Sequence, residues 1–581
     1  MTRRRLFAVL LVLSLALVPL RAAAQAPPPA PGALAALFPA DTVVYAEMQL
    51  RPGGDQQPRL ERLLGTLLDL APDEEQMAWV RLVPRVASAF ALGVWPQGDS
   101  IGVVGAIAAD DPGALLSLIL AAHKDAANGE PYGDVTIQTL GDSHSLYAAA
   151  VGRYLLAAMD RDALTATIDR VRAGAGASGG LGGTSNYQAA VGRLPASRFA
   201  TAYLDGPSLA RWLDARMAEA DAGTPGSTGA TVTPGLAPGA LPAEALPPGL
   251  PSATGPSGTP ERPASRSVTP GVVPLSSLAS VFAMGSAFTH GLSSAGGDAS
   301  SGLDALRAGS LAFAATAAPE GLRLVVEAPA AMERTPRSAS TGEALHFVPQ
   351  NALFAAAGHD LASQLRPALA DLPPGTLDQL PGGIDLQADV LDWLDGEYGI
   401  ALMPPRPDSA TGAFPEITLL FEVRDPPTVE GKLRKLVQAI PADANVPREP
   451  IEDREGDVQV RRLPIGDRLA LTWGYIGRWL FLTTGTSAPL VQASAAGGLP
   501  ASPAYAHVAS TLPSPNSGVL YANLPAFIDW LGAFTDGRFP PGGDDGARWR
   551  DLLGLLGTAA AGNGLARDGW LETVAVLEVR W

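Results

Sequence analysis

The sequence predicts an α+β fold, two tandem copies of a mixed unit in which a largely antiparallel sheet is covered by helices. Three observations carry that expectation. Segments of the first half recur in the second in the same order. Short alternating or β-branched runs are joined by turn residues, which implies hairpins and antiparallel pairing. Helical runs with capping signals lie between the groups of strands and are expected to cover one face of the sheet.

The recurrence is plainest between "NYQAAVGRLPASRFATAYLDGPSLARWLDA", from 186, and "AYAHVASTLPSPNSGVLYANLPAFIDWLGA", from 504. Tyr187 and Tyr505, Pro195 and Pro513, Tyr203 and Tyr521, Pro207 and Pro525, and Trp212 and Trp530 all stand 318 positions apart. "LFPADTVVYAEM" from 37 matches "FVPQNALFAAAG" from 347, and "GDVTIQTLGDSHSLYAAAVGRYLLAAM" from 133 matches "GDVQVRRLPIGDRLALTWGYIGRWLFLTT" from 456. The first unit is therefore expected over 34–220 plus 275–330 and the second over 345–581, with a linker at 331–344.

At the N-terminus, Arg3-Arg4-Arg5, the apolar run Leu6 to Leu20 and Ala22-Ala23-Ala24 make a secretory signal peptide over 1–24, followed by a Pro-rich spacer at 25–33. "TVVYAEMQL" alternates as a strand, and "SAFALGVWP" with "SIGVVGAIA", joined at Gln97-Gly98-Asp99, forms a hairpin. Asp111-Pro112 caps and opens a helix through "GALLSLILAAHKDAA", and Gly206-Pro207 opens another. Residues 221–274, dense in Pro, Gly, Ser and Thr, bury too little to order themselves and are expected to be a disordered insert. "LSSLASVFAMGSAFTHGLSS" at 275–294 is a small, apolar helical segment expected to be covered by its own sheet. The alternation of Ala575, Leu577, Val579 and Trp581 could end an outer-membrane barrel, but its internal counterpart "EGLRLVVEAP" favours a terminal sheet strand.

Composition narrows function. The 581 residues are 47% apolar and only 17% charged, enough to bury a large core, and they contain no cysteine, which excludes disulfides and thiolate metal sites. Cleaving the leader leaves 37 basic against 58 acidic residues, a net charge near −21. Nucleic acid is not an expected partner of such a chain. No stretch is apolar enough to span a bilayer in the mature chain; "SLYAAAVGRYLLAAM" is interrupted by Arg153.

The run "GAGASGGLGG" at 174–183 contains a G-x-G-x-x-G from Gly174 to Gly179 and a G-x-S-x-G around Ser178. A dinucleotide loop follows a strand and opens a helix, whereas this run follows the helical "DRDALTATIDRVRA", so Gly174 reads as a C-terminal stop. Ala496 stands opposite Ser178 in the second copy, which argues against a nucleophile elbow. His144, beside Asp142 and Ser143, is a turn residue, since three chain neighbours cannot converge as a triad; Leu469 takes its place in the second copy. His123, His290, His346, His359 and His507 have no metal-ligating spacing. Asp110-Asp111 and Asp160 with Asp162 are helix-start carboxylates and not an acid–base pair. No catalytic, cofactor-binding or metal residues are therefore expected, and no cofactor.

"FPADTVVYAEM" after a signal peptide, the "GRYLL" and "GRWLF" strands, "AYLDGPSLARWL" with "LYANLPAFIDWL", and the two-copy layout resemble the uncharacterised bacterial exported proteins grouped as domain of unknown function 3352. The resemblance implies an exported envelope protein, periplasmic or extracellular, with no known activity. The leading expectation is a non-enzymatic binding or scaffold module with a protein partner. The second is a carrier of a hydrophobic ligand such as a lipid or pigment, and the third a hydrolase.

Overall fold

The computed structural model describes residues 30–69, 86–98, 100–122, 129–140, 146–174, 179–222, 306–332, 338–370, 381–406, 414–440, 449–465, 469–535 and 550–581. The leader, residues 25–29 of the spacer, nearly all of the 221–274 insert, the 275–294 segment, His123, His144, Ser178 and His290 lie outside them.

Among the described residues, ten strands occur before residue 330. They are β1 (Val44–Gln49), β2 (Ala87–Gln97), β3 (Ser100–Ala109), β4 (Glu130–Tyr132), β5 (Val135–Leu140), β6 (Leu146–Val151), β7 (Tyr154–Ala158), β8 (Ala200–Leu204), β9 (Leu311–Ala318) and β10 (Gly321–Pro329). Ten more follow: β11 (Phe354–His359), β12 (Glu397–Met403), β13 (Glu416–Glu422), β14 (Ile451–Glu455), β15 (Val458–Ile465), β16 (Leu469–Ile476), β17 (Trp479–Thr483), β18 (Asn516–Asn523), β19 (Leu556–Gly564) and β20 (Trp570–Val579).

Every pairing is antiparallel. In the first half β5–β6–β7–β3–β2–β1–β8–β9–β10 lie side by side. In the second, β15–β16–β17–β13–β12–β11–β18–β19–β20 lie side by side in the same sequence. Each strand of the first series is matched by the strand ten places later. The two series meet where β10 pairs with β20, from Gly321↔Glu578 to Pro329↔Trp570, so one sheet runs through both halves.

Local signals account for much of this. The β6–β7 and β16–β17 hairpins turn at Gly152-Arg153 and Gly477-Arg478, with φ of 58° and 60° at the glycines, which any side chain would disfavour. Helix Arg161–Arg172 is capped by Asp160, which accepts from Ala163 N at 3.0 Å, and Gly174 follows its end at φ 88°. Asp111 caps its helix through Ala114 N at 2.8 Å, and Asp425, Asp205 and Asn523 cap others in the same way. The carboxylates set aside as acid–base candidates thus hold helix starts, while Asp110 pairs with Arg51 at 3.0 Å.

One expectation is corrected. Helices cover both faces of the sheet at β3, β6 and β7: Leu164 and Ile168 pack on the row that includes Val104 and Ala106, while Leu115, Leu116 and Ile119 of helix Pro112–Ala122 pack on the other, with Ala109 and Ile107. A sheet whose strands are apolar on both sides needs both covers. Strands β9 and β19 are additions to the sequence reading. "LAFAATAA" and "LGTAAAGNG" have weak β propensity, and neighbours on both sides impose their extended form.

The Gly-rich run has a packing role. A Cβ at Gly180 would lie 2.6 Å from the Ala36 carbonyl oxygen, and one at Gly498 2.2 Å from that of His346, so each loop presses its backbone on the short 3-10 helix that opens its own half. Only glycine permits that approach.

Candidate functional site

Polar side chains converge in the interior of the first half. On β1, Tyr45, Glu47 and Gln49 alternate onto the core side and are 0, 3 and 5% exposed. Glu47 accepts hydrogen bonds from the Tyr45 hydroxyl, from Gln49 Nε2 and from the backbone N–H of Gly32, the last at 3.0 Å. From the neighbouring strand and loop, Arg198 donates through Nε to Thr201 Oγ1 at 2.8 Å and through Nη1 to the Pro195 carbonyl at 2.7 Å. The Tyr45, Tyr187 and Tyr203 rings stack edge to face, with centroids 5.8 and 5.2 Å apart.

Burial sets the electrostatics. It holds the Glu47 carboxyl above its ordinary range, against the opposing pull of its hydrogen bonds. It raises the Tyr45 hydroxyl well above its usual value, with the Glu47 charge adding to the effect, and it raises Tyr187 in the same way. The Arg198 guanidinium is lowered by desolvation, which the nearby Tyr187 and Glu47 partly offset. The Tyr187 hydroxyl and Gln49 Oε1 are buried and have no hydrogen-bond partner among the described residues, so the cluster can still take a hydrogen bond there.

Chemically, the arrangement is a latch. Gly32 sits at φ 85°, immediately before the 3-10 helix Ala33–Leu37, and its N–H is tied to a carboxylate inside the sheet. A Cβ there would meet the Tyr187 hydroxyl at 3.2 Å. The second half builds a corresponding latch from different residues. Gly342, at φ 73°, precedes the 3-10 helix Glu343–Phe347, and Ser340 Oγ and Thr341 Oγ1 donate to Glu397 on β12, which is 3% exposed. By strand register Ala355 and Ala357 occupy the positions of Tyr45 and Glu47, since Tyr45 pairs with Tyr203 and Ala355 with Tyr521. Each half therefore fastens its entry segment to a buried glutamate.

Among the histidines singled out in the sequence, His346 and His507 are exposed and His359 is half-buried at the end of β11 with Nδ1 unpartnered among the described residues. No group of three or more His, Cys, Asp or Glu among the described residues is placed to hold a metal ion. Sequence reasoning passed over the Tyr45-x-Glu47-x-Gln49 alternation, whose three polar groups at strand spacing were its visible signal.

Residues 277–535 match the model of a family described as a protein of unknown function, DUF3352, the family that the sequence motifs resemble. No curated protein matches the chain. Among solved structures, crystal form I of TP0453 is similar over 40% of this chain and 77% of its own, at 11% identity and a TM-score of 0.22. Crystal form III of TP0453 gives 40%, 78%, 11% and 0.23. Likeness at these scores transfers nothing to this chain. No described helix is long and apolar enough to cross a membrane.

Proposed function

We propose that the chain is an exported envelope protein that works by binding, as a scaffold made of one repeated unit, and that it performs no catalysis. The repeat is supported by the strand order and by ring geometry. Tyr187 meets Tyr203 at 5.2 Å and 73°, and Tyr505 meets Tyr521 at 5.3 Å and 70°. On this reading the first unit covers 34–220 plus 275–330, the second 345–581, with 331–344 between them and a leader at 1–24 that directs export to the periplasm or cell exterior.

One observation carries the binding role: the central strands have two unlike faces. The core row, with Tyr45, Ala91, Tyr203, Ala312, Ala355 and Tyr521, is closed, none of it more than 1% exposed. The opposite row is equally apolar but open to solvent in part. Val44, Leu92, Leu204 and Phe313, on the adjacent strands β1, β2, β8 and β9, are half-buried, and Met48 is 43% exposed. Apolar surface left accessible across several adjacent strands marks a place for a hydrophobic ligand or an apolar partner surface.

The mature protein is expected to bind an apolar fluorophore such as bis-ANS at this face. Met48→Glu should weaken that binding about fivefold by placing a charge in it. Ile451→Glu, on the exposed edge strand β14, should leave it unchanged. Equal affinity in wild type and Met48→Glu would remove the face from the account.

A further inference from the structure

The β10–β20 pairing is the strand contact that joins the two halves. On its core side Val325 stands opposite Val574, both buried, as an apolar seam should. Two residues along, Glu327 stands directly opposite Glu572. Directly opposed side chains in an antiparallel pair have Cβ atoms about 4.5–5.5 Å apart, and like charges placed so repel. Glu327 is 7% exposed and Glu572 half-buried, so water screens the repulsion poorly.

The surroundings supply little compensation. Across β9, the residue facing Glu327 is Ala312, and on β19 it is Gly564, without a side chain, that lies beside Glu572. The turn after helix Ser185–Val191 brings Arg193 in, but its guanidinium lies over the Trp570 ring, 5.1 Å from the centroid. The next charged residues on the same side are Arg323, four positions back on β10, and Glu578, six positions on along β20, which accepts from Thr558 N and Oγ1 at 2.9 and 2.8 Å.

We propose that Glu327, set directly opposite Glu572, is a proton-controlled clasp between the two halves, closed while the Glu327 carboxyl holds its proton and loosened when that proton is lost. The chemistry is a single ionisation, with the proton released to solvent and no bond other than O–H broken. Burial, reinforced by the neighbouring Glu572 charge, lifts the Glu327 carboxyl to about 7, with Arg193 acting in the opposite direction. A carboxyl raised on folding gives stability that is complete below its ordinary range near 4.5 and is lost as pH rises through about 7. The clasp is thus tight in mildly acidic surroundings and loose in alkaline ones.

Hydrogen exchange of the mature full-length chain tests this between pH 5 and 8. After correction for intrinsic exchange, opening of the β10 and β20 amides should increase by up to tenfold per pH unit as the proton is lost, while amides of β3 and β13 stay flat. Glu327→Gln should remove that slope and protect the seam at pH 8, while Glu572→Gln should keep the slope but shift it to lower pH, since burial still raises Glu327 without the opposing charge. Val325→Ala should raise opening equally at every pH and so separates general weakening from titration. Parallel profiles for wild type and Glu327→Gln would overturn the clasp, as would a slope of equal size in every strand.

Discussion

Replacing Glu47 with leucine should cost about 3 kcal/mol of stability, because the Gly32 N–H, the Tyr45 hydroxyl and Gln49 Nε2 then lie buried without their acceptor. Glutamine keeps one carbonyl oxygen and should cost about 1 kcal/mol. Urea unfolding of the mature chain measures both. The pH dependence has a definite sign. Burial raises the Glu47 carboxyl, so its stabilisation is complete below the ordinary carboxylate range and declines as pH rises through the raised folded value. Glu47→Gln should flatten that decline. A leucine variant as stable as wild type would show that the entry segment is held by packing of the 3-10 helix alone, with Leu34 and Leu37 as its anchors.

The second large effect concerns the paired rings. Tyr203 and Tyr521 are each 1% exposed and meet Tyr187 and Tyr505 in nearly the same geometry. Truncating either to alanine should cost about 3–5 kcal/mol, the usual range for a buried aromatic that leaves a cavity. If the halves are one unit repeated, the two losses should agree within about 1 kcal/mol. Denaturant midpoints of Tyr203→Ala and Tyr521→Ala decide this. A large loss at one position with little at the other would mean that the two cores bear load differently despite their matching strand order.

What was legible in the sequence was what is decided locally. Asp111-Pro112 and Asp160 announce helix starts because an Asp side chain meets backbone N–H groups two or three residues on, whatever the rest of the chain does. Gly98 announces the hairpin between β2 and β3 because its left-handed φ of 54° favours glycine. The aromatic and proline register at 318 positions was visible because those residues are large or rigid enough to be kept in place by packing.

The parts that stayed hidden depend on distant neighbours. The Ala-rich β9 and β19 become strands only because β8 and β10, or β18 and β20, lie on either side. The alternation of Tyr45, Glu47 and Gln49 is plain in the chain, but a one-residue shift in register would turn those side chains outward. Which row faces inward is fixed by the pairing with β2 and β8, not by the strand itself. The Glu327–Glu572 apposition joins strands 245 positions apart and has no sequence signature. The motifs of the Gly-rich run were set aside because a helix precedes it, but the close packing of Gly180 on the Ala36 carbonyl depends on a distant segment and was not visible.

The two glutamate latches also explain why a buried polar cluster need not be a reaction centre. Glu47 lies on β1 and Glu397 on β12, so the same mechanical task, fastening the chain as it enters each half, is met from different strands. A catalytic group could not be moved across a strand without losing its geometry.

Native mass spectrometry of the full-length chain, purified from its native cells without lipid exchange, tests the proposed binding role most directly. The account predicts a population heavier than the mature polypeptide by a hydrophobic small molecule or an apolar partner chain, and loss of that population in Met48→Glu. A bare polypeptide mass in both proteins, together with no uptake of an apolar probe, would contradict it.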